Sequence, residues 1–175
     1  METTEKIVEA YVRYIKRWAT IPNIKCDGQY EIDLLAIDPV SLQRYHIESG
    51  VSISGGFSKL TTKPFNSETL KIREKQAEQR RTLGYFTERK FGAKEVVEVL
   101  ARYGFKPSAY KKVIVSWGWT EEAGKEAGAK GIELWDFRSL MKEIAEASMD
   151  RRTYFTDDTM RTIQLLAKAL AEKER

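Results

Sequence analysis

Tyr110–Phe137, YKKVIVSWGWTEEAGKEAGAKGIELWDF, sets the architecture. Tyr110–Trp117 is β-branched and apolar, as a buried strand is. Thr120–Lys130 reads as a short helix with Ala and Gly on one side, suited to close packing, and Gly131 ends it. Ile132–Phe137 is again a strand. A strand–helix–strand unit makes a right-handed crossover between parallel strands. Working outward, Tyr30–Asp38 and Arg44–Ser54 read as strands joined by a turn at Pro39–Gln43. A strand near Ile24–Cys26 joins them through a turn at Asp27-Gly28. Antiparallel strands first and a parallel unit later predict an α/β chain with a mixed central sheet flanked by helices. The helices are expected at 4–19, capped by Thr3 or Thr4 and ended by Pro22, and then at Ser67–Leu83, capped by Ser67. Others are expected at Ala93–Tyr103, 138–147 and 157–173, the last an addition at the C-terminal end. Gly55-Gly56 breaks the sheet and 57–66 reads as a loop. The whole of 1–175 reads as one domain.

Composition narrows the function. The 175 residues are 42% hydrophobic, enough for a core, and hold no apolar run near the ~20 residues that span a bilayer. The first ten residues, METTEKIVEA, are polar and acidic, unlike a secretory signal, so a cytoplasmic location is expected. Cys26 is the sole cysteine and His46 the sole histidine, which argues against a disulfide or a zinc site. The net charge of +4 is unevenly spread: Lys59 to Lys94 hold ten Lys or Arg against four Glu. Such a segment suits an enzyme acting on a polyanion, or is a solvated helix face. On the first reading Lys59, Lys63, Lys71, Arg73, Lys75, Arg80 and Arg81 contact phosphates. No GxGxxG occurs, and GKEAGAKG lacks the Ser or Thr of a phosphate loop. Trp117 and Trp119, at a strand end, either stack on bases or close the core edge.

Two acids stand out. Asp33, in EIDLLAID, shares a strand face with Leu35, not with the opposite row, and Glu48, in YHIESGVSIS, is mid-strand. A hairpin brings the two strands together, and two carboxylates suit Mg²⁺ or Mn²⁺, which take oxygen ligands. His46 is two residues from Glu48 and shares its face, so it is either a general base or a structural histidine.

The pattern resembles the PD-(D/E)XK, or restriction-endonuclease-like, superfamily, nearest in pattern to type IV restriction endonucleases and Holliday-junction resolvases. Those proteins begin with a helix carrying a Glu, then place an Asp on one strand and Glu-x-Lys on the next. Glu9 in EAYVRYI, with Glu5 a rival one turn earlier, Asp33 in YEIDLLAID and Glu48 in HIESGVSIS match these places. The strand, small-residue helix and strand of 110–137 resemble the family too, and the likeness spans about 5–145 by shape and spacing. It implies a restriction-endonuclease-like core with Asp33 and Glu48 as metal ligands and Glu9 assisting. The activity implied is Mg²⁺-dependent cleavage of phosphodiester bonds in DNA, with a homodimer by analogy.

The departure is at residue 50, where the family's lysine is replaced by Gly50; Ile32 also stands where a proline is common. Three readings follow. A lysine or arginine from elsewhere completes the site, with Lys25, Lys59, Lys63, Arg73 and Lys75 as candidates. Alternatively the metal suffices alone. In the third, the chain is a catalytically inactive nuclease-fold protein that binds nucleic acid or a protein partner.

Overall fold

The computed structural model describes residues 2–51, 59–72, 76–150 and 152–172. Five strands form one sheet in the order β1 (Ala19–Lys25), β2 (Glu31–Ile37), β3 (Arg44–Ser49), β4 (Tyr110–Ser116) and β5 (Ile132–Asp136). β1–β2 and β2–β3 are antiparallel, whereas β3–β4 and β4–β5 are parallel. The mixed sheet expected from the two halves of the sequence is therefore present.

Helices cover both faces because the strands are apolar on both. Leu34, Ala36, Tyr45, Ile47, Val113 and Val115 pack on one side. They meet α1 (Thr3–Ala10), α6 (Phe137–Met149) and α7 (Asp158–Glu172), through Val8, Leu140, Ile144, Met160 and Ile163. On the other side Ile114 packs on α3 (Leu83–Tyr85) and α5 (Glu121–Ala129), while Ile32 and Leu35 pack on α4 (Lys94–Arg102). The switch between Val113, Ile114 and Val115 is the period of two of a strand buried on both faces. Among the described residues no helix is long and apolar enough to cross a membrane.

Four sequence expectations give way to tertiary constraints. The first helix ends early: after Ala10 a π-helical turn, Tyr11–Ile15, leads to Arg17 at φ 61°, and the chain is already extended at Ala19. Pro22 lies inside β1 and does not end a helix; the strand is at the sheet edge, where a missing N–H is tolerated. The helix expected at Ser67–Leu83 is broken into a 3₁₀ turn, Thr69–Lys71, and a short helix, α2 (Gln76–Gln79). β3 ends at Ser49, short of the expected Ser54; residues 52–54 and Gly55-Gly56 lie outside the described residues.

A helical turn forms where none was expected. Thr82 caps α3 by accepting the Tyr85 N–H at 3.2 Å. α3 continues as a π-helical turn, Phe86–Lys90, closed by Phe91 N–H donating to Phe86 O at 2.8 Å. Two segments hold α3 against the sheet end. Thr61 N–H donates to Arg81 O, Leu83 N–H to Thr61 O, and Leu60 N–H to Gly118 O, all at 2.9–3.0 Å. Leu60 is 1% exposed, so it anchors the connection in the core.

Candidate active site

The antiparallel register of β2 and β3 pairs Leu34 with Ile47, so the next residues outward, Asp33 and Glu48, face each other. There the ladder gives way to side chains. Ser49 N–H donates to Asp33 Oδ2 at 2.8 Å, and Asp33 N–H donates to Glu48 Oε1 at 3.3 Å. Each carboxylate thus takes one backbone donor that a ladder partner would otherwise take. Glu48 is fully buried and Asp33 is 7% exposed.

Two buried carboxylates need a cation, and Lys90 supplies one. Its Nζ lies 2.8 Å from Asp33 Oδ1 and 2.7 Å from Glu48 Oε2. Both acids therefore converge on one point, each with its second oxygen held by the protein. Burial and the Glu48 charge push the Asp33 carboxyl up to about 7, against the pull of Lys90 and the Ser49 N–H. Burial likewise raises Glu48, while the two carboxylates hold Lys90 above the usual lysine range despite its own burial.

Lys90 was not among the lysines and arginines the sequence offered. Lys25 pairs with Glu31, Lys63 with Glu78 at 2.6 Å, and the Lys59 side chain lies beside Gly118. Lys71 is exposed on its 3₁₀ turn. Arg73 and Lys75 lie outside the described residues.

Gly50 explains why the cation comes from elsewhere. A Cβ at residue 50 would lie 2.6 Å from Phe86 Cζ, and Phe86 is 1% exposed. The ring occupies the space a side chain at 50 would need, and Lys90 leaves the same helical segment one turn later. Gly50→Ala is accordingly expected to lower stability by about 1–3 kcal/mol, read by urea unfolding, because a core ring has nowhere to move.

His46 lies behind this pair. It is fully buried, with its ring edge-on to Phe91 at 4.8 Å, and Nε2 is 2.6 Å from Glu48 Oε1. Burial drives its pKa down to about 3, so the ring is neutral and donates its Nε2 proton to the carboxylate. It reaches neither solvent nor the cavity below, so it orients Glu48.

Asp33 and Lys90 line a cavity of about 500 Å³ shared with Glu5, Glu31, Gly50 and Tyr85. Arg80, Arg81 and Arg89 also line it. Arg89 stacks on Tyr30, its guanidinium carbon 4.4 Å from the ring centre. Glu5, Glu31 and Asp33 each present a carboxylate oxygen within 4.8 Å of the others. Glu5 is fixed by accepting the Glu2 N–H at 2.8 Å, and burial followed by the Asp33 charge raises its pKa. Glu9 is elsewhere: it accepts from Thr20 at 3.3 Å and lines a separate cavity with Lys6 and Arg13. The α1 acid that meets Asp33 is Glu5, one turn before Glu9. Trp117 and Trp119 pack against the core, on its two opposite sides.

The donor set suits a hard divalent cation. Glu5, Glu31 and Asp33 offer oxygen ligands to such an ion, whereas Asp33 Oδ1 and Glu48 Oε2 are paired with the Lys90 ammonium. Glu5 and Glu31 leave the cluster acidic after Lys90 is counted. No family model matches the chain, and no match was found among curated proteins or among solved structures.

Proposed function

We propose that the chain is a divalent-metal-dependent nuclease with a restriction-endonuclease-like core, cleaving phosphodiester bonds in DNA. The observation that carries this reading is the Lys90 ammonium seated between Asp33 and Glu48. The resemblance in sequence requires two acids and one lysine, and residue 50 cannot supply the lysine. The three charges nevertheless meet beside a cavity that Asp33, Lys90 and arginines line, with Glu48 buried behind them, in a chain with a mixed sheet flanked by helices.

Asp33 and Glu48 would hold Mg²⁺ or Mn²⁺, with Glu5 in place of Glu9 as the assisting acid. The ion would supply an activated water and offset charge on the phosphodiester. His46 and the Asp33 N–H fix Glu48 Oε1, and the Ser49 N–H fixes Asp33 Oδ2, so the two oxygens that meet Lys90 stay aimed at one point. Lys90 would hold positive charge beside the phosphate as negative charge develops there. Arg80 and Arg81 would contact flanking phosphates, and a homodimer would allow both strands to be cut.

Incubation of the protein with supercoiled plasmid and Mg²⁺ or Mn²⁺ tests this. Nicking that chelator stops, and that Asp33→Asn lacks, supports the reading. Intact plasmid across metals and substrates would remove it. In that case the pairing of Lys90 with both acids favours a second reading, a site closed by its own ammonium in a chain that only binds. DNA affinity is expected to fall steeply with salt, and Arg80→Ala to reduce the slope of log K on log salt by about one unit, read by fluorescence anisotropy.

A further inference from the structure

A second cavity, about 390 Å³, lies on the opposite face of the sheet from Lys90. Its walls include Tyr11, Trp18, Tyr45 and Trp135, with Glu133 and Glu143 among the acids. Trp18 stacks on Tyr45, with centroids 4.2 Å apart and planes 18° apart. It is inclined 51° to Trp135, which stands nearly perpendicular to Tyr11 at 75°. Rings turned this way form an aromatic corner.

We propose that this cavity binds an organic ammonium ion, an alkylated amine head group. Ring faces attract cations, and a large, weakly hydrated cation leaves water for them at little cost. A hard metal ion would instead need a shell of oxygen ligands. The molecule already places its own ammonium groups over two of these rings: Lys16 Nζ is 5.4 Å from the Tyr11 centroid and Lys111 Nζ is 5.8 Å from that of Tyr45. Carboxylates supply the charge complement. The buried Tyr11 hydroxyl donates to Glu143 Oε2 at 2.8 Å, tying that acid to the aromatic wall. Glu133 is paired with Lys111 at 2.8 Å, but the two side chains are 39% and 49% exposed. So exposed a pair exchanges partners at little cost. Asp136, which also lines the cavity, is already paired with Arg138, so the charge complement rests on Glu143 and the exchangeable Glu133. A neutral apolar ligand would not use them.

The inference is independent of the nuclease reading, since no residue is shared with the Asp33 cavity. It is tested by titrating the ¹⁵N-labelled full chain with choline and with its neutral isostere 3,3-dimethylbutan-1-ol, following the four indole N–H signals. Choline is expected to give saturable shifts at Trp18 and Trp135, with affinity about tenfold above the neutral isostere. Glu143→Gln is expected to weaken choline binding while leaving the spectrum folded. A peptide carrying one trimethyllysine separates the sources of the cation. Tighter binding than choline marks a protein side chain as the natural ligand, and weaker binding marks a free small molecule; either supports the site. Equal binding of the neutral isostere, or shifts at Trp117 and Trp119 alone, would overturn the proposal. So would the absence of any saturable shift from choline and from the peptide.

Discussion

Lys90→Met is expected to lower the unfolding free energy by about 3–5 kcal/mol at pH 8, because it leaves two buried carboxylates without their cation. The methionine keeps most of the volume, so packing contributes little to the loss. Lys90 is 12% exposed in its side chain and touches both acids, so solvent cannot replace it. The penalty should shrink as the pH falls. Without the ammonium, Asp33 and Glu48 hold protons to still higher pH, and once neutral they no longer need a counter-charge. Urea unfolding at pH 8 and pH 5 reads both parts. A loss that is small at pH 8, or no smaller at pH 5, would mean that the pair does not depend on Lys90.

Asp33→Asn should act in the opposite direction on stability while abolishing metal-dependent cleavage. The Asp33 carboxyl titrates near 7 in the fold against 3.8 as a free side chain. The folded state therefore binds the extra proton between those values, and ionising Asp33 costs stability that is fully lost above pH 7 and absent below about 4. Asparagine removes that cost but forfeits one of the two acceptors that serve Lys90 and the Ser49 N–H. The net expectation is a gain of about 2 kcal/mol at pH 8, falling toward zero by pH 5. His46 works against the same trend in the wild type: neutral in the fold, it loses stability as pH falls from 6.5 toward 3. Between about pH 4 and 6.5 His46 offsets part of the Asp33 slope, while the raised Glu48 and Glu5 carboxyls add to it. A variant more stable and less active than its parent is the mark of a strained functional group.

Asp33 and Glu48 were legible because a hairpin brings their strands together, and the register found pairs Leu34 with Ile47. That register puts the two acids opposite each other. The mixed sheet was legible because β4 and β5 carry apolar runs around a helix of small residues. Lys90 was not found, although LGYFTERKFG holds a signal. Leu83, Phe86 and Lys90 are spaced three and four apart, so a lysine stands where the apolar stripe should continue. The segment 84–92 fell between the helix expected to end at Leu83 and the one expected to begin at Ala93. Gly84 lets α3 approach Phe65, and Gly92 lets the chain close against Thr87 O after the π-helical turn. The sequence ranked Glu9 above Glu5, whereas the structure brings Glu5 near Asp33. The residues lie one turn apart on α1, and only the meeting of the helix with the sheet end decides which acid reaches Asp33. Pro22 misled because proline ends helices and also sits comfortably on edge strands, and sequence position does not say which strand is the edge.

The most direct test of the assignment is the rate of Mn²⁺-dependent plasmid nicking by the wild type and by Lys90→Met, measured beside DNA affinity and at a temperature where both are folded. The wild type is expected to nick, and the variant to be slower by about a hundredfold, roughly 3 kcal/mol in the transition state. DNA binding should change little, since Arg80, Arg81 and Arg89 remain. Equal nicking by the two proteins would contradict the role given to Lys90, and no nicking by the wild type with any divalent ion would contradict the nuclease itself.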